Sequence, residues 1–461
     1  MSILDDLPPE ILCAIFELCL LDSEIDGRRP SVANSADSEG MPAAVLEALG
    51  FMSTGLNDDD FCKLPIEKQS TILQSLALSH VCARWRHVAL EFPLMWTRIR
   101  LGRRAFITKQ NSKSSDTDSS DLVEITSQLL SRSAPLPLHL DIDFLPNEPK
   151  HLPLTGVQNR RNDTNIKLVL SEYTDRSHSL RIASDETIIT SVLDVFVDRN
   201  ISKPTDSKTR PTYAPLSILD ITLVHSQGKS LWQRREDNAG PSFPADIGIV
   251  APNLTSLRID GLQISSLPRY ELRKAYIANT SLPYTLQHHL LFNTNISKLV
   301  LHRIAIPCKR PYRSRAILNP TPSSITSLCL SELQCTAMAG SANDHVDIYS
   351  HFFAMSFSPS LLELELAGLS NNAMDGLMRM MLDVTTKLCN VRKLTLRSLP
   401  ISRVEVGLFL SDVFPGVNEL TMHGVRAPWF LTELWQRDMA TWPELTEMVV
   451  DLETVKRRDS M

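Results

Sequence analysis

One pattern recurs along the second half of this chain and limits what it can fold into. LSILDITLVH from Leu216, LTSLRIDGLQI from Leu254, ISKLVLHRIAI from Ile296 and ITSLCLSELQC from Ile325 all read aliphatic-x-x-aliphatic-x-aliphatic. So do LLELELAGLS from Leu361, VRKLTLRSLPI from Val391, VNELTMHGVRA from Val417 and LTEMVVDLE from Leu445. Their starts lie 38, 42, 29, 36, 30, 26 and 28 residues apart. Between several of them run amphipathic helical patterns, such as MDGLMRMMLDVTTKLC (374–389) and RVEVGLFLSDVF (403–414). A strand followed by a helix cannot bury its apolar face alone, but it can by stacking on copies of itself. The expected fold is α/β, an irregular solenoid with a parallel strand ladder along one face. Weaker echoes of the pattern occur earlier, at PLPLHLDI and HSLRI within 135–215.

The pattern resembles the leucine-rich repeats, with one departure. Those repeats place Asn or Cys three positions after the short strand, where it hydrogen-bonds the turn backbone. Here the slot holds Leu262, Ile304, Leu333, Leu369, Leu399 and Val425. The turns must therefore be held by something other than a polar ladder.

The first hundred residues have a different character. LPPEILCAIFELCLL (7–21) reads as a helix: Pro8 and Pro9 fit a first turn that needs no N–H, and Glu10 suits the positive end of the dipole. Residues 22–69 then carry 10 acids against 4 bases, an excess equal to the net charge of −6 of the whole protein. Such a composition predicts a largely disordered acidic insertion. Helical pattern resumes at STILQSLALS and runs into HVCARWRHVALEFPLMW, where Val81, Trp85, Val88 and Phe92 share one helix face and Pro93 ends it. A Ser/Asp-rich linker follows at 108–121, then a helix, DLVEITSQLLSRS, with Asp121 as its N-cap.

At 461 residues the chain suits several domains or one elongated array. Its small net charge argues against a general nucleic-acid or membrane-surface binder, and no apolar run reaches the roughly 18–20 residues that span a bilayer. The acidic start, MSILDDLPPEI, lacks a signal pattern and points to an intracellular protein, cytoplasmic or nuclear. Eight cysteines show no CxxC spacing and no accompanying histidines at zinc-like intervals, so neither disulfides nor a metal site is expected. No phosphate loop, GxGxxG after a strand, HExxH or GxSxG elbow is present, so no catalytic or cofactor-binding residue is assigned and no cofactor is expected. The loop RIAIPCKRPYRSR (303–315) gathers Arg303, Lys309, Arg310, Arg313 and Arg315 around Tyr312, a guanidinium-rich candidate for a phosphorylated partner. The aromatics Trp429, Phe430, Trp435 and Trp442 are placed to cap the open end of the solenoid.

A leading LPPEI helix, a Val-Cys-x-x-Trp and a trailing Leu-x-Trp together resemble an F-box, carried by Leu7, Pro8, Glu10, Ile11, Ile15, Leu78, Val81, Cys82, Trp85, Leu94 and Trp96. The repeats behind it make the whole similar to F-box proteins abundant in basidiomycete fungi. The resemblance implies a three-helix module that docks on the Skp adaptor of a cullin–RING ubiquitin ligase of SCF type, through Leu7, Pro8, Pro9, Glu10, Ile11, Leu12, Ile15, Leu78, Val81, Cys82 and Trp85. Trp96 would pack this module onto the next segment. The organisation expected is an F-box-like module at 1–100 interrupted by the insertion at 22–69, a linker at 101–121, and the repeats at 122–461. In that reading the chain is a non-enzymatic substrate receptor whose repeats bind a target protein. A second reading is a protein-interaction scaffold outside ubiquitination, with a vestigial F-box.

Overall fold

The three aliphatic positions of the repeated pattern form one wall of the core. In a computed structural model of the chain, Leu254, Leu257 and Ile259, and their counterparts in each repeat through Val417, Leu420 and Met422, are at most 3 % exposed. The structure describes residues 8–16, 82–102, 127–143, 166–202, 216–223, 245–268, 271–291, 295–306, 324–335, 342–383, 390–399, 413–423 and 442–451, less 129, 169 and 443. The expected acidic insertion and Ser/Asp linker lie outside these residues, as does Val425. The chain divides into two compact units, 1–229 with 249–251, and 230–248 with 252–461.

In the first unit, β1 (Arg98–Gly102), β2 (Leu138–Asp143), β3 (Ser177–Ser184) and β4 (Ile218–Leu223) pair in parallel in chain order. The sequence echoes at PLPLHLDI and HSLRI are β2 and β3; β1, built from RIRLG, was not anticipated. A helix over Glu186–Ser202 carries the chain from β3 to β4. Ahead of β1, a helix over 9–16 meets one over Ala83–Glu91. The turn entering β2 is clamped by Arg176, which donates to the carbonyls of Leu136 (2.7 Å from Nη2, 3.1 Å from Nε) and Leu130 (3.4 Å) and to Ser133 Oγ (2.7 Å). Burial lowers the pKa of this guanidinium from its ordinary value.

The second unit opens with a two-strand pair, β5 (Ala245–Asp246) with β7 (Ile264–Ser266), around β6 (Ser256–Asp260). Its main ladder continues from β6 through β8 (Lys274–Ser281), β9 (Lys298–Ile306), β10 (Ser327–Ser331), β12 (Glu363–Ala367), β13 (Lys393–Arg397), β14 (Glu419–His423) and β15 (Glu447–Asp451), each parallel to the last. A short β11 (Gln334–Cys335) adds to β9. Parallel sheets are usually covered on both faces and read as continuous apolar runs. Here β6, β10 and β14 alternate buried and half-exposed residues, so one face packs on the core and the other stands open, as in a solenoid. Helices over Ala342–Ser356 and Asn371–Asp383 cover the inner side, held close because Gly376 has no Cβ to strike Tyr349. At the far end Trp442 is buried and donates through Nε1 to the Phe414 carbonyl at 3.0 Å.

Two devices replace the missing polar ladder. Gly261, Asn279, Arg303, Glu332, Gly368 and Ser398 occupy one register position in six successive strands, and all six have φ between 47° and 81°. The N–H groups of Glu332, Gly368 and Ser398 each reach the last carbonyl of the next strand at 2.9 Å, and that of Gly261 reaches the Ala278 carbonyl within β8 at the same distance. Left-handed backbone costs a residue with a side chain roughly 1–2 kcal/mol, yet four of the six are not glycine. Their side chains recover part of it across the repeats: Asn279 donates to Asp260 at 2.6 Å, and Arg303 pairs with Glu332 at 2.7 Å. The next position inward holds Leu262, Ile304, Leu333, Leu369 and Leu399, all buried, which form an apolar seal under the turns.

One expectation is corrected. Cys335 is disulfide-bonded, where the scattered cysteine spacing predicted no disulfides; Cys13, Cys82 and Cys329 are not in disulfides. Spacing tests only cysteines close in sequence, whereas a disulfide needs closeness in the fold.

Candidate protein-interaction surfaces

The N-terminal helices sort the residues implied by the F-box resemblance into core and surface. Leu12 is fully buried, and so is Phe16, which was not singled out beforehand. Phe16 meets Trp85 edge-on with ring centroids 5.4 Å apart and lies 6.4 Å from Phe92, so these aromatics join the two helices. Trp85 is 7 % exposed, and its indole N–H has no acceptor among the described residues. Cys82 caps the second helix, its sulfur accepting from the Trp85 N–H at 3.5 Å. Ile15 and Cys82 are half-buried.

Pro8, Pro9, Glu10 and Ile11 point outward, with Ile11 47 % exposed. Leu94, in the 3-10 turn Pro93–Trp96, is 42 % exposed. Leu12 and Trp85 therefore pack where the two helices meet, while the proline edge and Ile11 are exposed. Leu7, Leu78 and Val81 lie outside the described residues. The spacing that flagged Leu12 could also have flagged Phe16, one turn on along the same face. Trp96 is fully buried, donates to the Ala89 carbonyl at 2.9 Å and carries Arg132 over its ring at 5.4 Å, which ties the helix pair to the segment after it.

The open strand face of the second unit is the other surface. Its middle row runs Arg258, Tyr276, Val300, Cys329, Glu365, Thr395, Thr421 and Val449 in register. Arg258 lies 4.5 Å over the Tyr276 ring, and burial raises the Tyr276 phenol above its ordinary pKa. Cys329 is pushed up to about 12 by burial first and by Glu365 second, so at neutral pH it is a thiol with no nucleophilic fraction to speak of. His302 touches Ser331 at 3.1 Å and is held below its usual pKa, chiefly by desolvation. Arg397 pairs with Glu365 at 2.7 Å and Lys393 with Glu419 at 3.1 Å.

Of the basic loop candidates, Arg303 is described: it sits at the left-handed turn position and is engaged by Glu332. Lys309, Arg310, Arg313 and Arg315 lie outside the described residues. Among the described residues there is no group of His, Cys, Asp and Glu that could hold a metal ion, and no helix long and apolar enough to cross a membrane. No family model and no curated protein matches the chain.

Proposed function

We propose that this protein is a non-catalytic substrate receptor of an SCF-type cullin–RING ubiquitin ligase. The N-terminal helices dock on the Skp adaptor, and the open strand face selects the protein to be modified. The observation that supports this most is the division of labour within the helix pair. Leu12, Phe16 and Trp85 close a small core, while Pro8, Pro9, Glu10 and Ile11 form a continuous outward edge with Ile11 bare. Interfaces concentrate their energy in a few such apolar anchors. The receptor supplies proximity and orientation; its strand face carries a protonated thiol and paired charges rather than an activated nucleophile.

The test is co-purification of the full chain with the Skp adaptor, comparing wild type with Ile11→Asp. Wild type should bind, and burying a new carboxylate at the anchor should weaken binding by roughly a hundredfold. Circular dichroism should show the variant folded, because Ile11 is not part of the core. Absence of binding by the folded wild-type chain would sink the ligase reading and leave a protein-interaction scaffold with a vestigial F-box.

A further inference from the structure

Several charges on the strand faces are matched in register. In the first unit, Asp141, Arg181 and Asp220 share one row across three strands, alternating in sign. In the second, Glu363, Lys393 and Glu419 alternate across β12, β13 and β14. Lys274 and Lys298 break the rule. They are direct register partners on β8 and β9, both exposed, flanked by Ser256 on one side and Ser327 on the other. Neither has an ion pair among the described residues. Like charges facing each other on adjacent strands, roughly 4.8 Å apart, destabilise a sheet. A second like pair, Glu419 beside Glu447, has Lys393 to relieve it at 3.1 Å.

The two lysines also have basic neighbours. Arg273 is exposed immediately before Lys274, and Arg258 stands one strand away over the Tyr276 ring. Together they give a cationic, aromatic-floored patch across β6, β8 and β9, two strand spacings or about 10 Å wide. An extended chain advances about 3.3–3.6 Å per residue, so roughly three residues of a ligand cross this patch.

We propose that the open face of β6, β8 and β9 docks a short acidic segment of a partner protein, with Lys274 and Lys298 taking its carboxylates beside Arg258 and Tyr276. A protein segment fits better than nucleic acid. A polyanion continuing along the face would run onto Glu363, Glu365 and Glu447, whereas a short acidic run ends before them. This inference rests on the strand face being the recognition surface, and it names the chemistry of the target.

The test uses the full chain alone, without adaptor, so that its outcome is separate from adaptor docking. Fluorescence anisotropy would follow a labelled peptide carrying a run of glutamates, beside its glutamine counterpart, a phosphoserine version and a single-stranded oligonucleotide. Lys298→Glu would be compared with Arg379→Glu, which changes the net charge equally on the 371–383 helix, where Arg379 pairs with Asp347 at 2.5 Å. The expected result is salt-sensitive binding of the glutamate peptide, weakened roughly tenfold by Lys298→Glu and little changed by Arg379→Glu. The phosphoserine arm tells whether carboxylate or phosphoryl groups are preferred; binding of either at this patch supports the proposal. Lys298→Gln, with unchanged circular dichroism, separates loss of the charge from loss of the fold. Equal loss in Lys298→Glu and Arg379→Glu, no binding of any acidic peptide, or tighter Lys298-dependent binding of the oligonucleotide would each overturn it.

Discussion

The strand ladders of the two units are spaced differently along the chain. In the first unit, strands begin at residues 98, 138, 177 and 218, about forty apart each time, and the residues after β1, β2 and β4 lie outside the described residues. In the second, they begin at 256, 274, 298, 327, 363, 393 and 419, at intervals that vary twofold, yet six successive strands share a left-handed residue at one register position. Constant repeat length is therefore not what makes a repeat regular. The left-handed residue fixes how one copy meets the next, and the rest of each repeat absorbs differences in length. In the first unit Arg176 gathers two carbonyls and a hydroxyl, and Arg181 stands between Asp141 and Asp220 at 3.9 Å from each.

The sharpest way to break the comparison is at that arginine. Arg176→Met preserves much of the side-chain volume but removes both donors to the Leu136 carbonyl, while the Leu130 carbonyl keeps the Ser133 hydroxyl at 2.6 Å. Hydrogen bonds to a charged group contribute about 1.5–3 kcal/mol, and the site is only partly buried, so a loss of about 2–3 kcal/mol is expected. Hydrogen exchange should show that loss across β2 and β3, with amides of β9 to β14 unchanged. Equal loss of protection in the second unit would mean that one cooperative unfolding step governs both.

A smaller effect tests the second unit's device. Gly368 has φ +54°, and an added Cβ would come 2.9 Å from Glu332 Cγ. Gly368→Ala should cost about 1–2 kcal/mol, read as a lower midpoint in urea. Ser398 occupies the same turn position one strand further on, at φ 47°, so Ser398→Gly relieves strain and should stabilise by up to about 1 kcal/mol. Opposite signs for the two exchanges are the signature of a conserved turn geometry. Like signs would show that the turns are fixed by side-chain contacts instead.

Much of the second unit was legible because its core positions are a sequence period. All eight segments picked out by the aliphatic pattern became strands, and the α/β class followed from stacking them. The main-ladder strand of the second unit that was missed, β8, sits in the longest interval, between Leu254 and Ile296. It obeys the same pattern as Leu272-x-x-Ala275-x-Ile277, all buried, but Ala275 in a slot otherwise filled by larger residues hides it. The turn column was invisible for a different reason. Backbone handedness leaves a compositional trace when glycine or asparagine supplies it, and here Arg303, Glu332 and Ser398 do so for half of the column. On the N-terminal helices, helical spacing found the shared face but could not divide it, because core and contact residues follow one period. Only packing separates Leu12 from Ile11, adjacent in sequence and opposite in exposure.

The seal beneath the turns contains one misfit, and it gives the finest test of the comparison. Thr280 takes the place that Leu262, Ile304, Leu333, Leu369 and Leu399 fill elsewhere; it is 4 % exposed and its hydroxyl has no hydrogen-bond partner among the described residues. If the seal works by excluding polar groups, an isosteric methyl should improve it. Thr280→Val keeps the β-branched shape that suits a strand, adds no volume that must be accommodated, and removes a desolvated hydroxyl. Thermal denaturation should show a gain of about 0.5–1.5 kcal/mol. Its near neighbour in the column, Ile304→Thr, should lose stability through the reverse exchange and the missing methyl. A stabilising Thr280→Val with a destabilising Ile304→Thr would establish that the second unit closes its turns with an apolar layer. A destabilising Thr280→Val would show that the hydroxyl is held by water bridging to the backbone, and the second unit would then share the polar strategy of the first.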